Sequence, residues 1–224
     1  MKYLIKELME EGILKTPSII EAFEKVDRRD FVPEELKDKA YLNTPLPIGY
    51  GQTISQPLTV AFMLELLQPQ AGNKILEVGS GSGWQTALLA HIVSGGDGRG
   101  KVIAAELIPE LMAFGRKNVS KYGFIKKGLV EFHSLNATKG MPEETPFDRI
   151  ISAASGQDLP EAWKEQLKVG GRIVAPIKNA IHLFVKKSLP ADLSADEEED
   201  AGETEFEETV YPGFAFVPLI SLNE

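Results

Sequence analysis

The sequence predicts a single doubly wound α/β domain: a mostly parallel sheet, an antiparallel strand toward the C-terminus and a helical extension at the N-terminus. Three observations lead there. After Pro69 short apolar runs alternate with helical stretches, the pattern of a parallel sheet covered on both faces. A glycine-rich turn, Gly79-Ser80-Gly81-Ser82-Gly83, stands where one strand hands over to a helix. And 224 residues, 43% hydrophobic and 25% charged, suffice for one substantial core but not for several.

Each element has its own signal. Leu4, Ile5, Leu8 and Met9 recur at helical spacing and Gly12 marks a stop; Thr16 and Pro17 open a second helical stretch carrying Ile19, Ile20, Phe23 and Val26. Over residues 41–56, Pro45, Pro47, Gly49 and Gly51 interrupt every period, so this loop has to be held by contacts from elsewhere. Residues 57–67 form an apolar helix. Strands are expected at 74–78, 101–106, 129–133, 147–153 and 172–177, with helices at 84–93, 109–121 and 160–167, the last stopped by Gly170 and Gly171. The strand at 181–187 follows a turn too short for a crossover and should run antiparallel. A last strand is expected at 214–220. The expected organisation is one domain over 1–224: helical preface and loop at 1–56, α/β core at 57–190, an acidic flexible insert at 191–209 and a C-terminal strand at 210–224.

The formal charge of −9 is local. Ten acids and no lysine or arginine fall within 191–209; without them 23 acids face 24 bases, a net +1, so the body is nearly neutral and offers no general nucleic-acid surface. Cysteine is absent, which excludes disulfides, thiolate metal sites and a cysteine nucleophile, and the three histidines are too scattered for a metal cluster. With no apolar run near 20 residues and no signal-peptide block, the expectation is a cytoplasmic protein without membrane association.

The chemistry concentrates at strand ends. Glu77 precedes Gly79, Ser80, Gly81 and Gly83, whose spacing is G-x-G-x-G rather than the dinucleotide G-x-G-x-x-G, and no Gly-Lys-Ser/Thr follows as a P-loop would need. Glycines there let a ligand approach the backbone. Glu106 ends the next strand, facing the ligand crevice, where an acid accepts hydrogen bonds from both ribose hydroxyls; the competing reading is a favourable acid ahead of the 109–121 helix. Asn136 and Ala137 follow the third strand, where a side-chain carbonyl can accept from an adenine amine, unless Asn136 simply forms a turn. Together these residues read as an adenosine site. The run 150–155 lacks the Asp/Asn-Pro-Pro-Tyr element of amino-methylating DNA enzymes, which disfavours base methylation.

Residues 40–57, with Leu76-Glu77-Val78-Gly79-Ser80-Gly81-Ser82-Gly83, Phe147-Asp148-Arg149-Ile150-Ile151 and Phe216-Val217-Pro218-Leu219, resemble the protein-L-isoaspartate O-methyltransferase family over most of the chain. The resemblance implies the S-adenosylmethionine-dependent methyltransferase fold. It also implies methyl esterification of the α-carboxylate of isoaspartyl residues in damaged proteins and peptides, with S-adenosyl-L-methionine as cofactor. Ser55 would then be the active-site serine, Thr53, Ile54 and Gln56 would line the substrate side, and Glu106 would hold the ribose. A carboxylate acceptor is already ionised at neutral pH, so alignment and proximity suffice without a general base. Independently of the resemblance, Ser55 reads first as an N-cap before Gln56-Pro57, a role that can coexist with the other. Two departures from the family pattern, Asn136-Ala137 and the stretch 152–157, keep open a cofactor-binding homologue of weak or no activity, or a methyltransferase with a small-molecule carboxylate acceptor. Trp84 and Trp163 read as packing residues.

Overall fold

A computed structural model describes residues 1–96, 100–188 and 204–219. The preface folds as helices α1 (Lys2–Glu10) and α2 (Pro17–Lys25), followed by two 3-10 turns at Arg28–Phe31 and Glu34–Lys39. Leu4, Ile5, Leu8, Ile19, Ala22 and Phe23 are buried, the faces their periodicity assigns. The expected loop contains a small antiparallel pair, β1 (Leu46–Gly49) and β2 (Gln52–Ile54), turning through Tyr50 and Gly51 at positive φ. Helix α3 (Pro57–Leu67) leads into β3 (Lys74–Val78), α4 (Trp84–Val93), β4 (Lys101–Glu106), α5 (Pro109–Ser120) and β5 (Val130–Ser134). Then follow β6 (Phe147–Ser152), the short α6 (Glu161–Glu165), β7 (Leu167–Ile177), β8 (Ala180–Ser188) and β9 (Thr204–Pro212).

The main sheet has the order β5-β4-β3-β6-β7-β8-β9, with parallel pairing from β5 through β7 and antiparallel pairing of β8 and β9. Successive strand residues point to opposite faces, so Ile75, Val102, Ala104 and Ile151 join one core cluster while Leu76, Ile103, Ala105 and Ile150 join another. Helices α3, α4 and α5 cover the first face, with α1 and α2 packed outside them; α6 and the turns near residues 137–144 cover the second. Strand order reverses between β3 and β6, which places the crevice at the C-terminal ends of β3, β4 and β6. Among the described residues no helix is long and apolar enough to cross a membrane.

Three expectations need correction. Gly170 and Gly171 do not stop a helix: α6 ends earlier and both glycines lie inside β7, where a shift in its register against β6 accommodates them. A Cβ on Gly171 would stand 2.7 Å from the Lys168 carbonyl oxygen, so the chain folds back tightly there. The last strand is not 214–220 but β9, which includes residues 204–209 of the expected flexible insert. Its acids find partners on β8, twenty or more residues away: Glu208 Oε1 lies 2.6 Å from His182 Nδ1 and Glu207 Oε2 3.2 Å from Lys187 Nζ. Local composition sees only like charges; the register of the hairpin brings a lysine to Glu207 and an imidazole to Glu208. The remainder of the insert, 191–203, lies outside the described residues, as do 97–99 and 220–224.

Candidate active site

The sequence expected the glycine turn to bare its backbone to a ligand, and the structure gives that place to two of the three glycines. Gly79 and Gly81 (φ +82° and +50°) line a cleft of about 590 Å³, and an added Cβ would meet nothing closer than 3.4 Å at either. Their missing side chains leave bare backbone facing the cavity. Gly83 (φ +83°) faces inward: its Cβ would stand 2.8 Å from the Gly115 carbonyl oxygen and from Val119 Cγ2. Reciprocally, a Cβ on Gly115 would stand 2.7 Å from the Gly81 carbonyl oxygen. Gly83 therefore sets the contact of α4 with α5, which Asn118 Nδ2 completes by donating to the Ser82 carbonyl at 3.1 Å. Ser80 is buried, and its hydroxyl has no hydrogen-bond partner among the described residues.

Glu106, at the end of β4, lines the cleft with a carboxylate held by backbone. Its Oε2 accepts from Gly81 N at 2.8 Å and its Oε1 from Ile108 N at 3.0 Å, so one side chain pins the glycine turn to the start of the next helix. Glu77 is placed differently. It is fully buried beneath α4, accepting from Gln85 Nε2 at 3.1 Å and from the Thr86 hydroxyl, and it is not part of the cleft wall. Burial pushes its carboxyl up to about 7, against the Thr86 and Gln85 bonds that favour the ionised form, and the Glu106 charge adds to the rise.

Asn136 lines the cleft, but its Oδ1 accepts from Thr138 N at 3.0 Å, the turn-forming role foreseen as the alternative. Ala137 also lines the cleft, while its carbonyl accepts from Trp163 Nε1 at 2.8 Å and from Gly140 N at 2.9 Å and is committed to the core. Both tryptophans are buried packing residues. Apolar side chains of Ile108, Leu111 and Leu135 complete this wall; strand-end position alone could not identify them.

Opposite stands the loop. Thr53, Ser55 and Gln56 line the cavity with Pro45, Ile48, Gln52 and Thr59, whereas Ile54 turns into the core. Ser55 is not the N-cap of α3: Gln56 occupies that position, and the Leu58 amide donates to Asn43 Oδ1 at 3.0 Å. No hydrogen bond of the Ser55 hydroxyl is present among the described residues. The loop is held chiefly by Arg28, a residue the sequence reading missed although it lies between the core positions Val26 and Phe31. Residues 214–219, expected as a strand, instead form the third wall. Ser155 N donates to the Val217 carbonyl and Leu219 N to the Ser155 carbonyl, both at 2.8 Å, while Phe214 stacks on Phe62. Among the described residues lining the cleft, Glu106 is the only charged side chain, and no cluster of potential metal ligands occurs.

The profile of a family described as protein-L-isoaspartate(D-aspartate) O-methyltransferase matches residues 1–221. A protein-L-isoaspartate O-methyltransferase of Methanopyrus kandleri is 44% identical over 217 residues, 97% of this chain and 89% of that protein. One of Thermococcus sibiricus is 39% identical over 217 residues, covering 97% and 91%. The crystal structure of a Plasmodium falciparum protein assigned to the same activity, in complex with S-adenosyl-L-homocysteine, superposes with a TM-score of 0.80 over 98% of this chain and 97% of that one. At 24% identity, that likeness is one of fold.

Proposed function

The chain belongs to the protein-L-isoaspartate(D-aspartate) O-methyltransferase family, and from that premise we propose that its cleft works by alignment, Ser55 orienting the acceptor and Glu106 holding the donor's ribose. The protein is a methyltransferase that esterifies the α-carboxylate of L-isoaspartyl residues, using S-adenosyl-L-methionine, and so begins the repair of damaged aspartyl and asparaginyl sites. One observation carries the assignment of roles: the bare Gly79–Gly81 backbone, the Glu106 carboxylate and Ser55 all line a single cavity.

The residues fit an adenosyl donor. Each Glu106 oxygen accepts one backbone N–H and keeps lone-pair capacity for a ribose hydroxyl, with its direction already fixed. Ile108, Leu111 and Leu135 offer an apolar slot for a purine, bordered by Asn136, whose amide nitrogen stays available. At about 590 Å³ the cleft lies within the range of ordinary cofactor sites and leaves room for a peptide side chain. When bound, S-adenosylmethionine supplies the methyl group and, in its sulfonium, a positive charge.

The chain's contribution on the acceptor side is geometric. The acceptor carboxylate arrives ionised, so no side chain has to remove a proton. The Ser55 hydroxyl donates to it and sets its angle, and the loop and the 214–219 wall exclude water around it. No described cleft residue offers the carboxylate a cation, so among the described residues attraction to the acceptor is left to the donor's charge.

Two measurements test this. With labelled S-adenosylmethionine, an isoaspartyl peptide should be methylated and its normal aspartyl twin should not; equal or absent labelling of the pair rejects the function. In equilibrium titrations the same peptide should bind about tenfold tighter in the presence of sinefungin, which carries an ammonium in place of the methylsulfonium, than with neutral S-adenosylhomocysteine. Equal affinities would mean that the protein itself neutralises the acceptor.

A further inference from the structure

Resting on the reading of Ser55 above, we propose that Arg28 is the positioning residue of the catalytic loop, fixing the Ser55 hydroxyl relative to the glycine turn through the Ser55 carbonyl. Arg28 is fully buried and bonded to no carboxylate among the described residues. Its Nη1 donates to the carbonyls of Ala40 at 2.7 Å and Leu42 at 3.3 Å; its Nη2 donates to those of Thr44 and Ser55, both at 3.0 Å. One planar fork thus gathers the two ends of a loop that has no periodicity of its own.

The neighbouring acids are engaged elsewhere. Asp27 accepts from Arg29 N and from the Tyr41 hydroxyl, and Asp30 accepts from the Tyr122 hydroxyl. These bonds anchor the 3-10 turn that carries Arg28 and leave its charge to the loop carbonyls. On its other side the guanidinium lies 5.3 Å from the ring centroid of Trp84, the first residue of α4, directly after Gly83. Phe23 packs edge-on against the same ring. Arg28 therefore touches both the loop that presents Ser55 and the helix start that follows the donor turn. Ile48 bridges the same two segments at the cleft, its Cδ1 3.4 Å from where a Gly81 Cβ would stand.

Burying a guanidinium is costly, and an apolar side chain would pack the loop without that cost; the charged fork fixes where four carbonyls point. Burial draws its pKa down to about 10, which leaves it protonated at neutral pH.

The test is a double-mutant cycle of Arg28→Lys and Ser55→Ala, reading kcat on an isoaspartyl peptide and the affinity for S-adenosylhomocysteine. A lysine keeps the charge, but its three donors cannot span four carbonyls. Arg28→Lys should bind S-adenosylhomocysteine within about threefold of wild type while kcat falls about tenfold; Ser55→Ala should lose about thirtyfold. Because Arg28 acts through Ser55, the double variant should fall no further than Ser55→Ala alone. A multiplicative loss of roughly 300-fold, or an unchanged kcat in Arg28→Lys, overturns the proposal. If Arg28→Lys does not bind S-adenosylhomocysteine, Arg28→Gln takes its place; failure of both to bind makes Arg28 a residue of the fold and overturns the proposal as well. Wild-type turnover in Ser55→Ala would defeat the reading of Ser55 itself, and the proposal with it.

Discussion

Glu106→Gln is expected to weaken the binding of S-adenosylhomocysteine about a hundredfold while leaving the strand order intact. The change removes one oxygen, and both oxygens are in use. Oε2 accepts from Gly81 N and Oε1 from Ile108 N, so whichever becomes the amide nitrogen turns an N–H toward an N–H. One buried backbone donor is left unpaired, at roughly 1 to 3 kcal/mol, and the ribose loses its charged acceptor. The first cost falls on the free and the bound protein alike and lowers stability; the second, the hydrogen bonds of two ribose hydroxyls to a charged acceptor, amounts to about 3 kcal/mol, or two powers of ten in affinity. Titration calorimetry measures it directly. An affinity within threefold of wild type would show that the ribose is held elsewhere and that Glu106 serves only to pin the glycine turn.

The second large effect concerns stability. Glu77 is buried and its carboxyl stands near 7, above its ordinary 4.5. A carboxyl raised in this way favours the protonated folded chain. Its contribution is fully present below about pH 4.5 and is lost as the pH climbs toward 7, because the unfolded chain ionises first; above that the loss is constant. Over this window the group costs on the order of 3 kcal/mol. Glu77→Gln retains a shape that can bond Thr86 and Gln85 and cannot ionise. Relative to wild type, the variant should gain stability between pH 5 and pH 8, a difference of roughly 6–12 °C in thermal midpoint for a chain of this size. Unfolding curves of the two proteins that shift in parallel with pH would contradict it.

These two acids show how far sequence reading reached. Both were singled out, Glu77 before the glycine turn and Glu106 at the end of the next strand, and periodicity located the strands that carry them to the residue: Lys74–Val78 and Lys101–Glu106. That Glu106 faces the cavity followed from its place at a strand end; that Glu77 does not was not legible. Glu77 and Val78 point to opposite faces of β3, and only the packing of α4 beneath the turn decides that the acid goes to Thr86 and Gln85. The three glycines behave likewise. Spacing marks all of them as a turn, yet Gly83 owes its missing Cβ to Gly115, thirty-two residues away. The acids of β9 read as a solvated loop because their partners lie on β8, and residues 214–219 read as a strand although they close the cleft against Ser155.

What the sequence by itself determined is everything set by near neighbours: the alternation of strand and helix, the positive-φ turn after β3, the acid at the end of β4, and the motifs that tie the chain to its family. Tertiary structure alone decided which side chains share a cavity, how Arg28 gathers four carbonyls, and which edge completes the sheet. The physical reason is range. Dihedral preference and burial period act over a few residues and leave a trace in local sequence, whereas a buried guanidinium or a counter-charge is satisfied by groups tens of residues away, whose approach only the folded chain defines.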